Sequence, residues 1–281
     1  MDSTQASKFL NLWFGDSVLE ETGSYLVRMD LPSRNIKSYT RVSSLVDNLD
    51  HATKQDIYYG VCSQSRRPQN GLRGSAETIC VMPGLWADID IKGGAHSNEC
   101  LPGSVEEADS FLEELGVEPT VKIHSGHGLQ VYWKFVDPFI VISGSDLTRA
   151  NTLTKRWAKT LGLLGEKYGW KLDSVHDLSR IFRVPGTVNR KNPDEIVPVD
   201  TLIDGGDSYS IPSMENNMVP LAMIENDSRR RVVIPPVKAN VQDGIPFQVE
   251  QLCDINPQFK RTWEKRRGNE FKSMSEYEFS I

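Results

Sequence analysis

Apolar and polar residues alternate along several short segments of the chain, a pattern typical of half-buried β-strands. The six segments with this alternation, or with many strand-favouring residues, are 56–62, 84–92, 120–124, 129–135, 180–184 and 196–199. The segments 120–124 and 129–135 flank a short glycine-containing turn, residues 125–128, and this arrangement predicts a hairpin.

Helical spacing of apolar residues indicates three helices between these strands. The first covers residues 3–14, and the third is marked by apolar residues between Leu147 and Leu161. The second begins at the capping box of Ser104 and Glu107 and ends at Gly116. Helices and strands follow one another along the chain, so we predict an α+β fold.

Length and composition set the expected organisation. The chain has 281 residues, of which 38% are hydrophobic and 25% are charged, typical of a globular protein with one large domain and an appendage. We predict one large α+β domain at residues 1–212, a linker at 213–246, and a helical segment at 247–281 that looks cut short. An apolar run of membrane-spanning length and a secretory leader are both missing, so we expect a cytoplasmic protein without a membrane partner.

The charge pattern limits the kind of nucleic-acid binding that is compatible with the sequence. A formal net charge of −6 argues against a protein that coats duplex DNA through a broad basic surface. Basic residues nevertheless cluster in three places: Arg66, Arg67 and Arg73, then residues 229–231, then residues 260–267. Such clusters are usually solvated faces, but together they suit an enzyme that grips a short stretch of nucleic acid.

Asp88 and Asp90 are the most informative pair of residues in the sequence. In a strand they share one face with Trp86 and Lys92, roughly 7 Å apart at the backbone, and their carboxylates repel each other. A divalent cation removes that repulsion, and Mg²⁺ favours one or two carboxylates together with substrate phosphates. The alternative for such a pair is the solvated acidic face of an edge strand.

The predicted hairpin is the second candidate region. Its alternation places Gln130, Tyr132 and Lys134 on an outward polar face, and we expect Lys122 and His124 of the partner strand to share it. In the turn, the two glycines let backbone N–H groups approach an anion. A tight hairpin also needs glycine for purely conformational reasons, so both interpretations stay open.

The third candidate region is residues 171–191, where acids are followed by arginines and then by a Pro-Gly turn. Arginine suits phosphate oxygens, and an acid placed beside Asp88 would complete a three-carboxylate metal site. Asp173 and Asp177 both qualify as that acid, and periodicity does not choose between them. Asp177 and Arg180 could instead form a surface ion pair of little energetic value.

These motifs, in this order, resemble those of the archaeo-eukaryotic primase superfamily, most closely the primase-polymerases of phages and plasmids. The resemblance covers roughly residues 56–200 and depends on Asp-x-Asp, the Ser-Gly hairpin, and an acid followed by Arg-x-x-Arg-x-Pro-Gly-Thr-x-Asn-x-Lys. It implies a catalytic core with an RRM-like antiparallel sheet flanked by helices, a smaller α/β subdomain, and a helical C-terminal segment.

The resemblance also implies which residues bind metal and nucleotide. The catalytic and metal-binding acids would be Asp88, Asp90 and Asp173, with two Mg²⁺ or Mn²⁺ ions, because Leu172-Asp173 best fits the third motif. The implied nucleotide-binding residues are Ser125, Gly126, His127, Gln130, Arg180, Arg183 and Lys191. One departure concerns the family's Ser-x-His motif, since Gln130 stands where the histidine is expected and His127 lies three residues earlier. Either residue could take that role.

The activity implied is DNA-templated primer synthesis and extension in phage or plasmid replication, within a bacterial or phage-infected cell. Its substrates would be a single-stranded DNA template and dNTPs or NTPs, and a replicative helicase would be the implied partner. Two alternatives remain: another metal-dependent enzyme, such as a nuclease or a glycosyltransferase, and a non-catalytic single-strand binder. Tyr58, Tyr59 and Tyr132 are the candidate stacking platforms of such a binder.

Overall fold

The structure is a computed structural model that describes residues 2–49, 54–69, 72–93, 100–192 and 194–224. All of these residues belong to one compact unit. Within them, no helix combines the length and the apolar character that crossing a bilayer would require.

Six helices and ten strands make up the described part of the chain. The helices are α1 (Ser3–Trp13), α2 (Asp16–Thr22), α3 (Val42–Asp47), α4 (Val105–Glu114), α5 (Gly144–Lys167) and α6 (Ile211–Asn216). The strands are β1 (Leu26–Leu31), β2 (Asn35–Tyr39), β3 (Asp56–Gly60), β4 (Val81–Asp90), β5 (Val121–His124), β6 (Gly128–Ile140), β7 (Ile181–Arg183), β8 (Val188–Asn192), β9 (Glu195–Pro198) and β10 (Asp200–Asp204).

The strands form two four-stranded sheets and one hairpin. The first sheet has the order β2-β1-β3-β7, the second has the order β10-β5-β6-β4, and β8 pairs with β9. Every pairing is antiparallel. The predicted fold class is confirmed: the protein is α+β, with antiparallel sheets flanked by helices.

An aromatic core joins α1 to both sheets. Phe9 of α1 packs against Tyr59 of the first sheet and Tyr132 of the second, with ring centroids 5.4 and 5.0 Å away. The Tyr59 hydroxyl donates a hydrogen bond to the Tyr132 hydroxyl at 2.9 Å. Trp13 lies against β4, where a Cβ on Gly84 would come within 2.8 Å of its ring, so only glycine fits there. The inter-sheet face of β6 is therefore buried.

The opposite face of the second sheet packs on α4 and α5. Leu85, Ala87 and Ile89 of β4 are buried, as the alternation predicted, and each lies opposite an apolar residue of β6. Trp133 of β6 meets Trp157 of α5 with a ring-centroid distance of 4.7 Å. Burying both faces explains why the second sheet contains so few exposed positions.

The prediction that the hairpin has an outward polar face is wrong in two respects. Gln130 and Tyr132 are buried, at 2% and 0% exposure, because the first sheet and α1 cover them. Lys122 lies opposite Val131, and residues directly opposite in an antiparallel pair share a face. Lys122 therefore points to the helical side, where its ammonium pairs with Asp109 of α4 at 2.5 Å. His124 lies opposite Leu129 on that same side.

The predicted strands and the three predicted helices are present, with small shifts of their ends. The capping box at α4 is half formed. The Ser104 hydroxyl accepts the Glu107 N–H at 3.3 Å, whereas the Glu107 carboxylate accepts the N–H of Gly103 at 2.7 Å. The elements that the sequence pattern did not predict are α2, β1, β2, α3, β8, β10 and α6.

The chain stays packed beyond the predicted domain end at residue 212. The Arg156 guanidinium of α5 donates to the carbonyl of Glu215 at 3.2 Å and to that of Val219 at 2.9 Å. The first residues of the predicted linker 213–246 therefore lie against α5. The remainder of that linker and the predicted helical segment 247–281 lie outside the described residues.

Candidate active site

Asp88 and Asp90 end β4 on the face that looks toward the first sheet. Asp88 lies opposite Gln130 and Asp90 lies opposite Gly128 in the register with β6, while Trp86 lies opposite the buried Tyr132. Both carboxylates are half-buried. The predicted sharing of one face is thus realised: β4 is the edge strand of the second sheet, and the shared face looks toward the first sheet and is only partly exposed.

Burial and neighbouring charges control the ionisation of Asp88. Burial and, after it, the charge of Asp90 raise the pKa of this carboxyl to about 7, with a smaller contribution from Asp173. The guanidinium groups of Arg180 and Arg183 act in the opposite direction. Two further acids and two arginines, from separate parts of the chain, therefore act electrostatically on Asp88.

The turn between β5 and β6 lies beside the end of β4. The carbonyl of His127 accepts the N–H of Ile91 at 3.1 Å, and the Ser125 N–H donates to the carbonyl of Gly128 at 2.8 Å. The Ser125 hydroxyl donates to that same carbonyl at 3.1 Å, so it is used within the turn. The structure thus brings the turn next to Asp90.

Asn189 of β8 fixes the turn from the other side. Its amide donates to the Ser125 carbonyl at 2.7 Å. Gly126 has a φ of 98°, and a Cβ there would lie 3.0 Å from the Asn189 side chain. A positive φ and close contact both require glycine at this position.

Gln130 joins the two sheets. With its amide oriented to satisfy both groups, its N–H donates to the Arg183 carbonyl at 3.3 Å and its oxygen accepts the Arg183 N–H at 3.2 Å. The side chain is almost completely buried. The structure therefore places this predicted nucleotide-binding residue in a bond between β6 and β7, whereas His127 lies half-buried in the turn.

Arg183 is held by two residues of β3 that sequence reasoning did not assign to it. Its Nη2 donates to the Asp56 carboxylate at 3.1 Å, and its guanidinium lies 4.9 Å from the centre of the Tyr58 ring. The paired side chains are only 12% and 10% exposed. Asp56 also accepts the backbone N–H of Arg190 at 2.9 Å. An acid at the start of an otherwise apolar strand was the available signal for this pair.

A buried tryptophan holds the segment after α5 against β4. The Trp86 indole donates to the Val175 carbonyl at 2.7 Å. On one side of Val175, Asp173 is exposed. On the other, Asp177 forms an ion pair with Arg180 at 2.8 Å and another with Arg73 at 3.0 Å. The two candidate acids therefore differ in environment.

The acids do not converge into a ready-made three-ligand cluster. Within the described ranges, no three His, Cys, Asp or Glu side chains are grouped closely enough to hold a metal ion. Asp173 is on an exposed segment without regular hydrogen bonding to β4, which explains the difference from the predicted three-carboxylate site. The Asp88 and Asp90 pair nevertheless fits Mg²⁺ or Mn²⁺, because the cation would offset the repulsion that raises the Asp88 pKa.

The remaining predicted residues are Lys191 and the three tyrosines proposed as stacking platforms. Lys191 is exposed on β8, and its backbone N–H donates to the Asn189 side chain at 3.0 Å. Of the proposed stacking residues, Tyr59 and Tyr132 are buried in the inter-sheet core, whereas Tyr58 is half-buried beside Arg183. These placements argue against a flat aromatic platform on this sheet.

Comparison with solved structures identifies the fold. The AEP domain of the primase-polymerase of cyanophage S-2L aligns with a TM-score of 0.51 and 14% identity, covering 78% of this chain and 98% of that domain. The catalytic domain of the primase RepB′, solved in complex with initiator DNA, aligns with a TM-score of 0.45 and 14% identity, covering 81% of this chain and all of that domain. No family model and no curated protein matches the sequence. The alignment with the cyanophage domain shows that the chain has the fold of a primase-polymerase AEP domain.

Proposed function

Starting from this shared fold and the acidic pair on β4, we propose that the protein is a DNA-templated nucleotidyltransferase that makes and extends primers. The observation that carries the proposal is that the charges of Asp90, Arg180 and Arg183, from three parts of the chain, all act on the carboxyl of Asp88. Carboxylates for divalent cations and arginines for a triphosphate are the groups that phosphoryl transfer requires.

The acids would hold the cations. Asp88 and Asp90 would be the ligands fixed by β4, and Asp173 would approach as a third from its exposed segment. When bound, two Mg²⁺ or Mn²⁺ ions supply Lewis-acid chemistry for attack by a 3′-hydroxyl and for the departing pyrophosphate. Asp88 must be ionised to serve as a ligand, so its raised pKa makes the site sensitive to pH.

The arginines would bind and orient the triphosphate. Arg183 is fixed by Asp56 and Tyr58, and its Nε is buried without a hydrogen-bond partner in the part of the chain that the structure describes. Since that donor is covered, a nucleotide phosphate would satisfy it only after a local shift of the covering side chains. The turn residues Ser125, Gly126 and His127 lie close enough to Asp90 to contact the same substrate through backbone groups or the imidazole. Lys191, which is exposed on β8, would contact the substrate only at the periphery of the site.

The template would be single-stranded DNA, and the setting would be phage or plasmid replication, with a helicase as the partner. A wholly acidic site would repel a nucleic-acid backbone, but the charges of Arg180 and Arg183 act on Asp88, and Arg73 pairs with Asp177 beside Arg180. The site would therefore suit a polyanionic substrate once cations are present.

Primer synthesis tests the proposal directly. The full chain is incubated with single-stranded DNA, Mn²⁺ or Mg²⁺ and labelled dNTPs or NTPs, with and without a preformed primer. We expect template-dependent products that Asp88→Asn and Asp90→Asn each abolish, while Asp137→Asn, an exposed acid on β6, retains activity. Shortening of the DNA without nucleotide-dependent lengthening would indicate a nuclease instead. Full activity in both acid variants would reject the site.

A further inference from the structure

Asp177 lies between two arginines, Arg180 and Arg73. Its Oδ1 accepts a hydrogen bond from Arg180 Nε at 2.8 Å, and its Oδ2 accepts one from Arg73 Nη2 at 3.0 Å. The Arg180 N–H also donates to the Asp177 carbonyl at 3.0 Å. Each carboxylate oxygen therefore carries a guanidinium, whereas Asp173 is an exposed acid.

This bonding leaves one end of Arg180 available. The Nε of Arg180 donates to the Asp177 carboxylate, and among the described residues the two Nη groups of Arg180 make no hydrogen bond. The charge of the same guanidinium lowers the pKa of Asp88. An arginine fixed through Nε presents its Nη groups in one direction, a geometry that suits the oxygens of a phosphate.

Arg73 is itself anchored to the fold. The base of its loop is closed by the Ser65 N–H, which donates to the Thr78 carbonyl at 2.7 Å. At the next residue, Gly74 packs so tightly on Gln64 that a Cβ would lie 2.5 Å from its side chain. Arg73 can therefore restrain Asp177, and the three charges leave a net positive cluster that attracts an anion.

We infer that Asp177 is a positioning residue that, together with Arg73, aims the Arg180 guanidinium at the triphosphate of the bound nucleotide. The inference rests on the proposed function and refines it, since it removes Asp177 from the metal ligands and gives it a role in nucleotide affinity. The ion pairs are about one-third exposed, at 33% for Asp177 and 29% for Arg180, so their loss should leave the protein folded.

Binding of dATP and of ATP in Ca²⁺ buffer, which holds turnover down, tests this role by calorimetry. We expect Asp177→Asn to weaken triphosphate binding about tenfold, as for the loss of one oriented charge-assisted contact. Mn²⁺ binding without nucleotide should stay at the wild-type level. Arg73→Ala should act in the same direction, and the double variant should be no weaker than Asp177→Asn, because both act through Arg180. Asp177→Glu should recover part of the affinity.

Steady-state kinetics give the second readout. Asp177→Asn should raise the KM for nucleotide with kcat changed less than about threefold, the signature of lost ground-state binding. Asp204→Asn is the matched control, because its carboxylate pairs with Lys8 on an exposed surface and both constants should stay as in the wild type.

Three outcomes would overturn the inference. Unchanged triphosphate affinity in Asp177→Asn would show that Arg180 needs no support, and a weakened Mn²⁺ affinity would make Asp177 a metal ligand. In both cases primer synthesis by the wild type would leave the proposed function standing. If the wild type binds triphosphate but makes no product, the proposed function fails while the binding comparison still tests Asp177. Absence of triphosphate binding by the wild type would overturn both.

Discussion

Asp88 on β4 lies directly opposite Gln130 on β6, and the Gln130 amide bonds to the backbone of Arg183 on the other sheet. One side chain thus connects the strand that carries the acids with the strand that carries an arginine. The separation of the acids proposed to bind metal from the arginine proposed to bind phosphate is therefore set by a buried amide and not by a flexible loop.

Gln130→Leu should destabilise the protein. The substitution leaves the N–H and carbonyl of Arg183 without their partner, and each buried unsatisfied group costs about 1–3 kcal/mol. We expect the free energy of unfolding in urea to fall by at least about 1 kcal/mol. Gln69→Leu, at an exposed position, is the control and should change stability little. Equal stability of Gln130→Leu and the wild type would disprove the cross-sheet bond.

The stability of the metal-free protein should fall as pH rises from about 4 to 7. The pKa of Asp88 is raised from 3.8 to about 7, so in this window the folded state holds a proton that the unfolded state has released. Asp88→Asn removes that penalty and should be more stable than the wild type at pH 8, by about 1–3 kcal/mol given the partial exposure of the carboxyl.

Adding Mn²⁺ should make the wild type more stable than Asp88→Asn at pH 8, the reverse of the order expected without metal. Only the ionised carboxylate binds the cation, so Mn²⁺ should raise the Tm of the wild type more at pH 8 than at pH 6 and should not raise that of Asp88→Asn. Thermal scans at both pH values measure the effect, with Asp137→Asn as the exposed-acid control. A Tm shift that does not depend on pH would argue against Asp88 as the titrating ligand.

Asp56→Ala should cost about 3–5 kcal/mol of unfolding free energy, because it leaves the buried Arg183 guanidinium without its carboxylate. The backbone N–H of Arg190 loses its acceptor as well. Asp204→Ala removes an exposed ion pair with Lys8 and should cost less than about 1 kcal/mol. Chemical denaturation of the two variants gives the comparison, and similar losses would mean that Arg183 is solvated without Asp56.

Gly128→Ala should lower activity more than stability alone explains. A Cβ at Gly128 would lie 2.5 Å from the Ile89 carbonyl oxygen and 2.9 Å from the Asp90 Cα, so the end of β4 must shift. A displacement of about 1 Å in a catalytic group can cost about 100-fold in rate. Gly144→Ala is the control, since nothing lies within 4 Å of its Cβ position. Primer extension well below the melting temperature of each variant separates activity from folding.

Local patterns in the sequence predicted the elements that build the second sheet and its helical face. Alternation placed Leu85 and Ile89 correctly on the apolar side of β4, and helical spacing located α4 and α5. The faces of a strand are readable in this way because the side-chain period of two depends only on neighbouring residues.

The covering of the other face could not be read from the sequence. It depends on the first sheet, whose strands β1, β3 and β7 come from distant parts of the chain, and on α1. Tyr132 therefore looked like an outward residue although it is completely buried. Lys122 was misplaced because a hairpin's faces follow from its register, which alternation in one strand does not specify.

Telling the two acids of the third motif apart also required tertiary information. Asp173 and Asp177 are equivalent in periodicity, and only the position of Arg73, about a hundred residues earlier in sequence, gives Asp177 its second partner. The resemblance to primases favoured Asp173 on motif grounds, and that assignment stays a prediction.

The placement of α1 has a consequence for how the protein matures on the ribosome. Gln5 donates to the Asp200 carboxylate at 3.2 Å and accepts the N–H of Thr201 at 2.8 Å, contacts that span 195 and 196 residues of sequence. In the chain α1 precedes β10 by almost two hundred residues, so these two bonds form only after β10 has been translated. Contacts of such large sequence separation form slowly, so the amino-terminal end of α1 should be among the last parts of the domain to dock.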